Sequence, residues 1–280
     1  MTGLRSALLD PALPDADFVA LTQKIATDRG FRCGSYKERC LRRRIAVRMR
    51  AKGVHTYRDY MRVLDSDHGE YERLIDALTI NVTKLFRNWD VYDAIARVVI
   101  PAVWASRVEP LRVWSAGCAS GDEPYSLAAL FHRHAREHHE LQRLRTLEIL
   151  ATDVDARILD VARRGNYDEP AFADTPPELR SAYFSAGVPS EVTPDLRSMV
   201  TFAQHDLLRE EAPRKDLQLI VCRNVIIYFD RESQERLFER FVDALAPGGY
   251  LVLGKVETLL GSARAALASV DARSRIFRRP

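Results

Sequence analysis

The 280-residue chain contains no apolar run approaching the roughly 20 residues of a membrane-spanning helix, so membrane insertion is not expected. Its first 17 residues, MTGLRSALLDPALPDAD, are too acidic and too poor in apolar residues to read as a secretory signal. Cysteine is scarce. Cys33, Cys40, Cys118 and Cys222 form no C-x-x-C pair, which argues against a zinc site or a disulfide framework and points to a reducing cytoplasm. His134 and His138 stand four apart, but no carboxylate or cysteine shares a clear geometry with them. They also crowd a helix end where imidazolium is favoured anyway, so no metal is expected. The net charge is only +3, and the 46% apolar, 29% charged composition is that of a globular protein large enough for one good core and a second small domain.

The dinucleotide fingerprint G-x-G-x-x-G is missing as well. In its place stands Arg112-Val-Trp-Ser-Ala-Gly-Cys-Ala-Ser-Gly-Asp-Glu-Pro-Tyr-Ser126. Leu111, Val113 and Trp114 open it as a strand, Gly117 and Gly121 turn it, and Pro124 sits in the first turn of the helix that follows, where a missing N–H does no harm. Strand, glycine turn and helix N-terminus form a cradle for a nucleotide-like ligand and begin a Rossmann-like sheet. Asp122 and Glu123 occupy the place where a pyrophosphate would lie. Two carboxylates there repel phosphate and suit a cation, which favours S-adenosylmethionine, a donor with an ammonium, a sulfonium and no phosphate, over NAD.

Upstream, helical spacing predicts helices over 15–30, 37–52, 56–64 and 70–80, a small bundle. The second carries Arg39, Arg42, Arg43, Arg44, Arg48, Arg50 and Lys52 without one acid between them. No aromatic residues interleave as base stacking requires, so this face suits an acidic protein helix better than nucleic acid. A polar segment through Asn81, Thr83 and Arg87 precedes a helix from Trp89 to Ala105.

Downstream of the cradle, Leu147–Asp153 reads as the second strand. Its closing acid, Asp153, is placed to accept from ribose hydroxyls, and Asp155 to cap the next helix. Prolines 170, 176, 177, 189 and 194 break the alternation, which marks about 168–200 as an insertion with candidate strands at Ala182–Ser185 and Met199–Phe202. Strands at 217–221, 250–254 and 275–278 and a helix over 232–245 complete the pattern. The fourth strand leads into Arg223-Asn-Val-Ile-Ile-Tyr228, which lacks the Asp/Asn-Pro-Pro-aromatic signature of amino-methylating nucleic-acid enzymes.

The chain resembles the chemotaxis receptor glutamate methyltransferases, the CheR family, over nearly its whole length. The resemblance is carried by Asn81-Val-Thr-Lys-Leu-Phe-Arg87, Trp114–Ser126, Ala151-Thr-Asp153, Cys222–Asp230 and Pro247-Gly-Gly-Tyr-Leu251, in the family's order. It implies an α/β chain: a Rossmann-like S-adenosylmethionine-dependent methyltransferase sheet over 89–280, a small all-helical N-terminal domain over 1–88, and an inserted small β subdomain. It also implies that Asn81, Thr83, Arg87, Glu123, Asp153, Asp206, Leu207, Arg223 and Asn224 bind S-adenosyl-L-methionine and its product S-adenosyl-L-homocysteine. Arg87 would meet the methionine carboxylate, Glu123 the ammonium, Asp153 the ribose, and Asp206 and Leu207 the adenine. Arg87 and Tyr228 are the expected catalytic pair, orienting the acceptor carboxylate.

The expected partner is the cytoplasmic helix bundle of methyl-accepting receptors, docked on a monomer through Arg39, Arg42, Arg43, Arg44, Arg48 and Arg50. Leu85, Asp206 and Gly254-Lys-Val-Glu257 depart from the family's Phe, Asn and Gly-His-Ser-Glu. The insertion lacks an obvious glycine-rich loop of the kind linked to tethering on a receptor's C-terminal peptide. Two rival expectations are a methyltransferase of this fold acting on nucleic acid or a small molecule, and an adaptor without activity.

Overall fold

The computed structural model describes residues 16–79 and 82–280. The chain divides into two compact units, one ending at Leu78 and one beginning at Thr79.

The first unit is helical: α1 (Ala16–Arg29), α2 (Glu38–Ala51), α3 (Tyr57–Ser66) and α4 (His68–Thr79). Apolar residues at three- and four-residue spacing build its core, with Phe18, Leu21 and Ile25 from α1, Leu41, Ile45 and Met49 from α2, and Leu74 and Leu78 from α4. Thr56 starts α3 as a reciprocal cap, since its Oγ1 accepts from Asp59 N–H at 3.1 Å and donates to the Asp59 carboxylate at 2.7 Å. The fully buried Glu70 takes a two-pronged contact from Arg48 at 2.9 and 2.6 Å and a hydrogen bond from Tyr60 Oη at 2.8 Å. The basic helix is thereby tied to α3 and α4.

The second unit is a sheet flanked by helices. Its leading helical stretch, expected as one helix, is α5 (Trp89–Ala94) and α6 (Ile100–Ala105) joined through a π-helical turn. There follow β1 (Leu111–Ala116), α7 (Asp122–Glu137), β2 (Leu147–Asp153), α8 (Ala156–Arg164), β3 (Asn166–Tyr167), α9 (Pro177–Tyr183), β4 (Ser190–Glu191), α10 (Pro194–Ser198), β5 (Val200–Gln204), β6 (Leu217–Cys222), α11 (Arg231–Ala244), β7 (Leu245–Leu253), α12 (Ala263–Ala266), β8 (Ala268–Asp271) and β9 (Ile276–Arg278). The main sheet runs β5-β2-β1-β6-β7-β9-β8, parallel from β5 to β7 and antiparallel at β9 and β8. Strands β1 and β6 are buried almost end to end, as parallel strands covered on both faces must be. Asp155 caps the start of α8 as the sequence predicts, accepting from Arg157 N–H at 3.0 Å, and Gly165 closes its end in a left-handed conformation.

The insertion differs from its sequence reading in detail. Pro177 at the first helical position starts α9, so Ala182 and Tyr183 end a helix, and only Phe184 pairs as a strand residue, with Val192. The second candidate strand belongs to the main sheet, where Val200–Gln204 pairs with β2 along its whole length. A second, short sheet pairs β3, just before the insertion, antiparallel with β4 inside it.

Candidate active site

Strand order reverses between β1 and β6, which are neighbours with the chain leaving each in opposite directions across the sheet. Open α/β sheets bind ligands in the crevice beyond the carboxyl ends of strands at such a point. A cleft lies there. The turn after β1 contributes Gly117, Cys118, Ala119 and Glu123. The loop after β6 contributes Arg223, Asn224 and Val225, and the segment before α5 contributes Val82, Thr83, Lys84 and Arg87.

The β1 side needs glycine at two points. Gly117 has φ +80, and a Cβ there would stand 2.6 Å from Val225 Cγ2, so only glycine lets the two strand-end loops meet. Gly121 has φ +87 and opens α7 with Ala162 and the Tyr167 hydroxyl pressed against it. Between them Ala119 donates its N–H to Asp153 Oδ2 at 2.9 Å. Asp153 thus stands directly behind the cradle, with its Oδ1 taking Asp155 N–H at 3.1 Å.

The charges on this side are out of balance. Glu123 is buried and receives one hydrogen bond, from Ser115 Oγ at 2.8 Å. Among the described residues no Lys or Arg pairs with it within 4 Å. Burial pushes its carboxyl up to about 7, against the pull of Arg223. Asp122, which accepts from Ser120 Oγ at 2.6 Å, is pushed up to about 6 by burial. A buried carboxylate without a cation is expensive, and a cationic ligand would remove the deficit.

The opposite wall is basic. Arg223 is buried over the Tyr92 ring, 5.1 Å from its centroid, and its Nη2 donates to the Arg87 carbonyl at 2.9 Å and to Asn88 Oδ1 at 3.2 Å. Among the described residues, its Nε and the Asn224 Oδ1 are buried without a hydrogen-bond partner. Orphaned buried polar atoms are rare in folded proteins, and here both belong to residues that line the cleft. Arg87 spends one donor on the Val82 carbonyl at 3.1 Å. The segment around it is held from the insertion. Asp174 accepts from Asn88 N–H at 2.8 Å and pairs with Lys84 at 3.2 Å, while Leu85 donates its N–H to the Ala171 carbonyl at 3.0 Å.

Of the residues singled out from sequence, Thr83, Arg87, Glu123, Arg223 and Asn224 line this one cleft, and Asp153 lies one hydrogen bond behind it. Asn81 falls outside the described residues. Asp206, Leu207 and Tyr228 are not among the lining side chains. Asp206 organises its own turn, its Oδ1 accepting from Leu208 N–H at 2.8 Å, and Leu207 is buried. Tyr228 ends the single helical turn Ile226–Tyr228. The departure at Leu85 is absorbed, since Leu85 is fully buried in the main core. Sequence reasoning missed Tyr92, which packs under Arg223, and Asp174, which holds Asn88 and Lys84.

Comparison with known proteins agrees with this arrangement. Residues 81–276 match the profile of the CheR methyltransferase SAM-binding domain, and residues 16–79 that of the CheR methyltransferase all-alpha domain. The chain belongs to the CheR methyltransferase family. The chemotaxis protein methyltransferase of Listeria innocua is 35% identical over 262 residues, spanning 92% of this chain and 97% of that protein. Its counterpart in Listeria monocytogenes is 34% identical over the same shares, and that of Borreliella burgdorferi 31% identical over 83% of this chain and 84% of that protein.

This CheR-family chain is an S-adenosylmethionine-dependent methyltransferase, and its cleft fits the donor on chemical grounds: an uncompensated acid for a cation, and unpartnered donor and acceptor atoms on the facing wall. Bound there, the donor supplies a methyl group on a positively charged sulfur, which is a good leaving group. Among the described residues no helix is long and apolar enough to cross a membrane, and no cluster of His, Cys, Asp and Glu is arranged to hold a metal.

Proposed function

We propose that the chain transfers the methyl group to glutamate side-chain carboxylates of chemotaxis receptors, making neutral methyl esters and S-adenosyl-L-homocysteine. The observation that carries this reading is the division of charge in one cleft, acidic at Glu123 and basic at Arg87 and Arg223. The acid suits the cationic donor, and the bases steer an anionic acceptor. The relatives' name, chemotaxis protein methyltransferase, supports the receptor as substrate.

A glutamate acceptor has an ordinary pKa of about 4.3 and is already an anion at neutral pH, so the chain needs no general base. What it supplies is position and exclusion of water. Glu123 holds the donor's ammonium, Asp153 its ribose, Arg87 its carboxylate end, and Thr83, Arg223 and Asn224 the remaining wall. Asn81, Asp206 and Leu207 complete the donor's surroundings on the strength of the family motifs. Arg87 and Tyr228 orient the acceptor. Arg87→Ala removes a charge-assisted contact worth about 1.5–3 kcal/mol and is expected to slow transfer roughly 10- to 100-fold, with a smaller loss for Tyr228→Phe. Unchanged rates in both variants remove them from the mechanism. The reading itself is tested by transfer of labelled methyl to receptor fragments. Label that is released by mild base supports it, and label on nucleic acid or a small molecule instead overturns it.

The structure also bears on docking. Three of the six arginines on α2 are engaged within the bundle. Arg48 binds Glu70, Arg44 donates to the Leu78 carbonyl at 2.7 Å, and Arg42 pairs with Glu38 and lies 4.0 Å from the Phe18 ring centroid. Arg39, Arg43 and Arg50 are exposed and have no polar partner among the described residues. With the 49% exposed Val47 between them they make one stripe at helical spacing. This stripe is the proposed contact for an acidic receptor helix, on an enzyme working as a monomer in the cytoplasm. Reversing all three charges (Arg39→Glu, Arg43→Glu, Arg50→Glu) should raise the receptor KM at least about tenfold and leave the affinity for S-adenosylhomocysteine unchanged. A receptor KM that stays at the wild-type value refutes the stripe.

A further inference from the structure

Glu257 follows β7 and is 3% exposed. Among the described residues no cation pairs with it. Its two oxygens accept four backbone N–H groups instead: Oε2 from Gly254 at 2.6 Å and Asn224 at 3.1 Å, Oε1 from Val225 at 3.0 Å and Ile226 at 2.9 Å. A side chain that gathers this many amides is a rigid template, because charge-assisted bonds are short and each fixes a direction.

Three of those amides belong to the loop after β6, two of whose residues, Asn224 and Val225, line the cleft. That loop needs a template. Asn224 sits at φ +63, a left-handed conformation that side-chain-bearing residues adopt only when their surroundings impose it. Two close approaches fix its position. At Gly254 a Cβ would stand 2.7 Å from Glu257 Oε2 and 2.9 Å from Asn224 N, and at Gly117 a Cβ would run into Val225. The loop is therefore gripped between the cradle turn on one side and the β7 carboxylate on the other.

We propose that Glu257 is a positioning residue for the donor site: its carboxylate sets the 224–226 loop so that Arg223 Nε and Asn224 Oδ1 are left unpartnered for a ligand. The inference rests on the proposal that Arg223 and Asn224 form a wall of that site. Glu257 touches no reacting atom and acts through the loop. Its charge also reaches across the cleft and helps hold the Glu123 carboxyl high.

The test is titration of S-adenosylhomocysteine into Glu257→Gln, Glu257→Asp, Gly254→Ala and Arg223→Ala proteins, with melting curves alongside. Glu257→Gln turns a four-fold acceptor into a group with one acceptor and one donor. It should weaken binding at least about thirtyfold in folded protein, and Glu257→Asp, which keeps the anion on a shorter stem, should recover part of the loss. Gly254→Ala keeps the carboxylate but forces it off the loop, and should weaken binding as well. In Glu257→Gln the pH midpoint of ligand binding should also move to lower pH, because a negative neighbour of Glu123 is gone; a role confined to stability would lower the melting temperature and leave that midpoint in place. Wild-type affinity in folded Glu257→Gln overturns the inference. If Glu257→Gln does not fold, wild-type affinity in Glu257→Asp and Gly254→Ala overturns it equally. Weak binding in Arg223→Ala beside normal binding in the Glu257 variants defeats the positioning role alone, whereas normal binding in Arg223→Ala defeats the assignment of that wall to the donor.

Discussion

Replacing Glu123 by Gln should sharply weaken donor binding and at the same time make the free protein more stable. Among the described residues the buried carboxyl has one hydroxyl donor and no paired cation, and burial carries it from its ordinary 4.5 to about 7. Removing one member of a desolvated charge pair costs about 2–5 kcal/mol in binding, so affinity for S-adenosylhomocysteine should fall at least about thirtyfold. The stability change has the opposite sign. A carboxyl whose folded pKa lies above its unfolded one penalises the fold as pH rises. The penalty is absent below the unfolded value, grows between about 4.5 and 7, and is complete above that. At pH ~8 it amounts to about 3 kcal/mol. Glutamine still accepts from Ser115 and carries no charge, so urea unfolding at that pH should show Glu123→Gln more stable than wild type by up to about this amount, with the difference vanishing near pH ~4. A variant that binds normally, or is less stable in alkali, sinks the claim that Glu123 is held unbalanced for a cation.

The second large effect is on the pH profile of binding in the unaltered protein. A cationic ligand selects the ionised form of Glu123, so protein protonated there must release its proton to bind. Affinity for S-adenosylhomocysteine should be level above about pH 7 and fall about tenfold per unit below it. Asp122, held at about 6 by burial, adds a steeper limb at lower pH if it too faces the ligand's positive end. Calorimetry of the unaltered protein in buffers of different ionisation heats should register proton release on binding near pH 6–7. A flat affinity from pH ~5.5 to 8 is the outcome that removes the charge argument.

These effects begin in a stretch that can be read from sequence. Trp114 to Tyr125 announces strand, turn and helix, because a buried strand, a left-handed glycine and an N-terminal proline are each decided within a few residues. The cap at Asp155 was legible for the same reason. The basic run on α2 was legible as composition but not as a surface. Whether Arg44 and Arg48 meet a partner or the bundle depends on α4, some 30 residues away, and on the buried Glu70. The insertion's strands were misplaced because short apolar runs do not say which sheet they join, and Val200–Gln204 became an edge of the main one.

By itself the sequence determined the helical N-terminal unit, the glycine turn with its two acids, the acid ending β2 and the family. All of these are local patterns or ordered motifs. Only the tertiary structure decided that β1 and β6 are neighbours, which brings Glu123 and Arg223 into one cleft. It alone showed that Glu123 has no cation paired with it among the described residues and that Glu257 binds the loop after β6. The reason is physical: hydrogen-bond satisfaction and the ionisation of a carboxyl depend on burial and on what packs nearby, and here those neighbours come from chain segments more than a hundred residues apart.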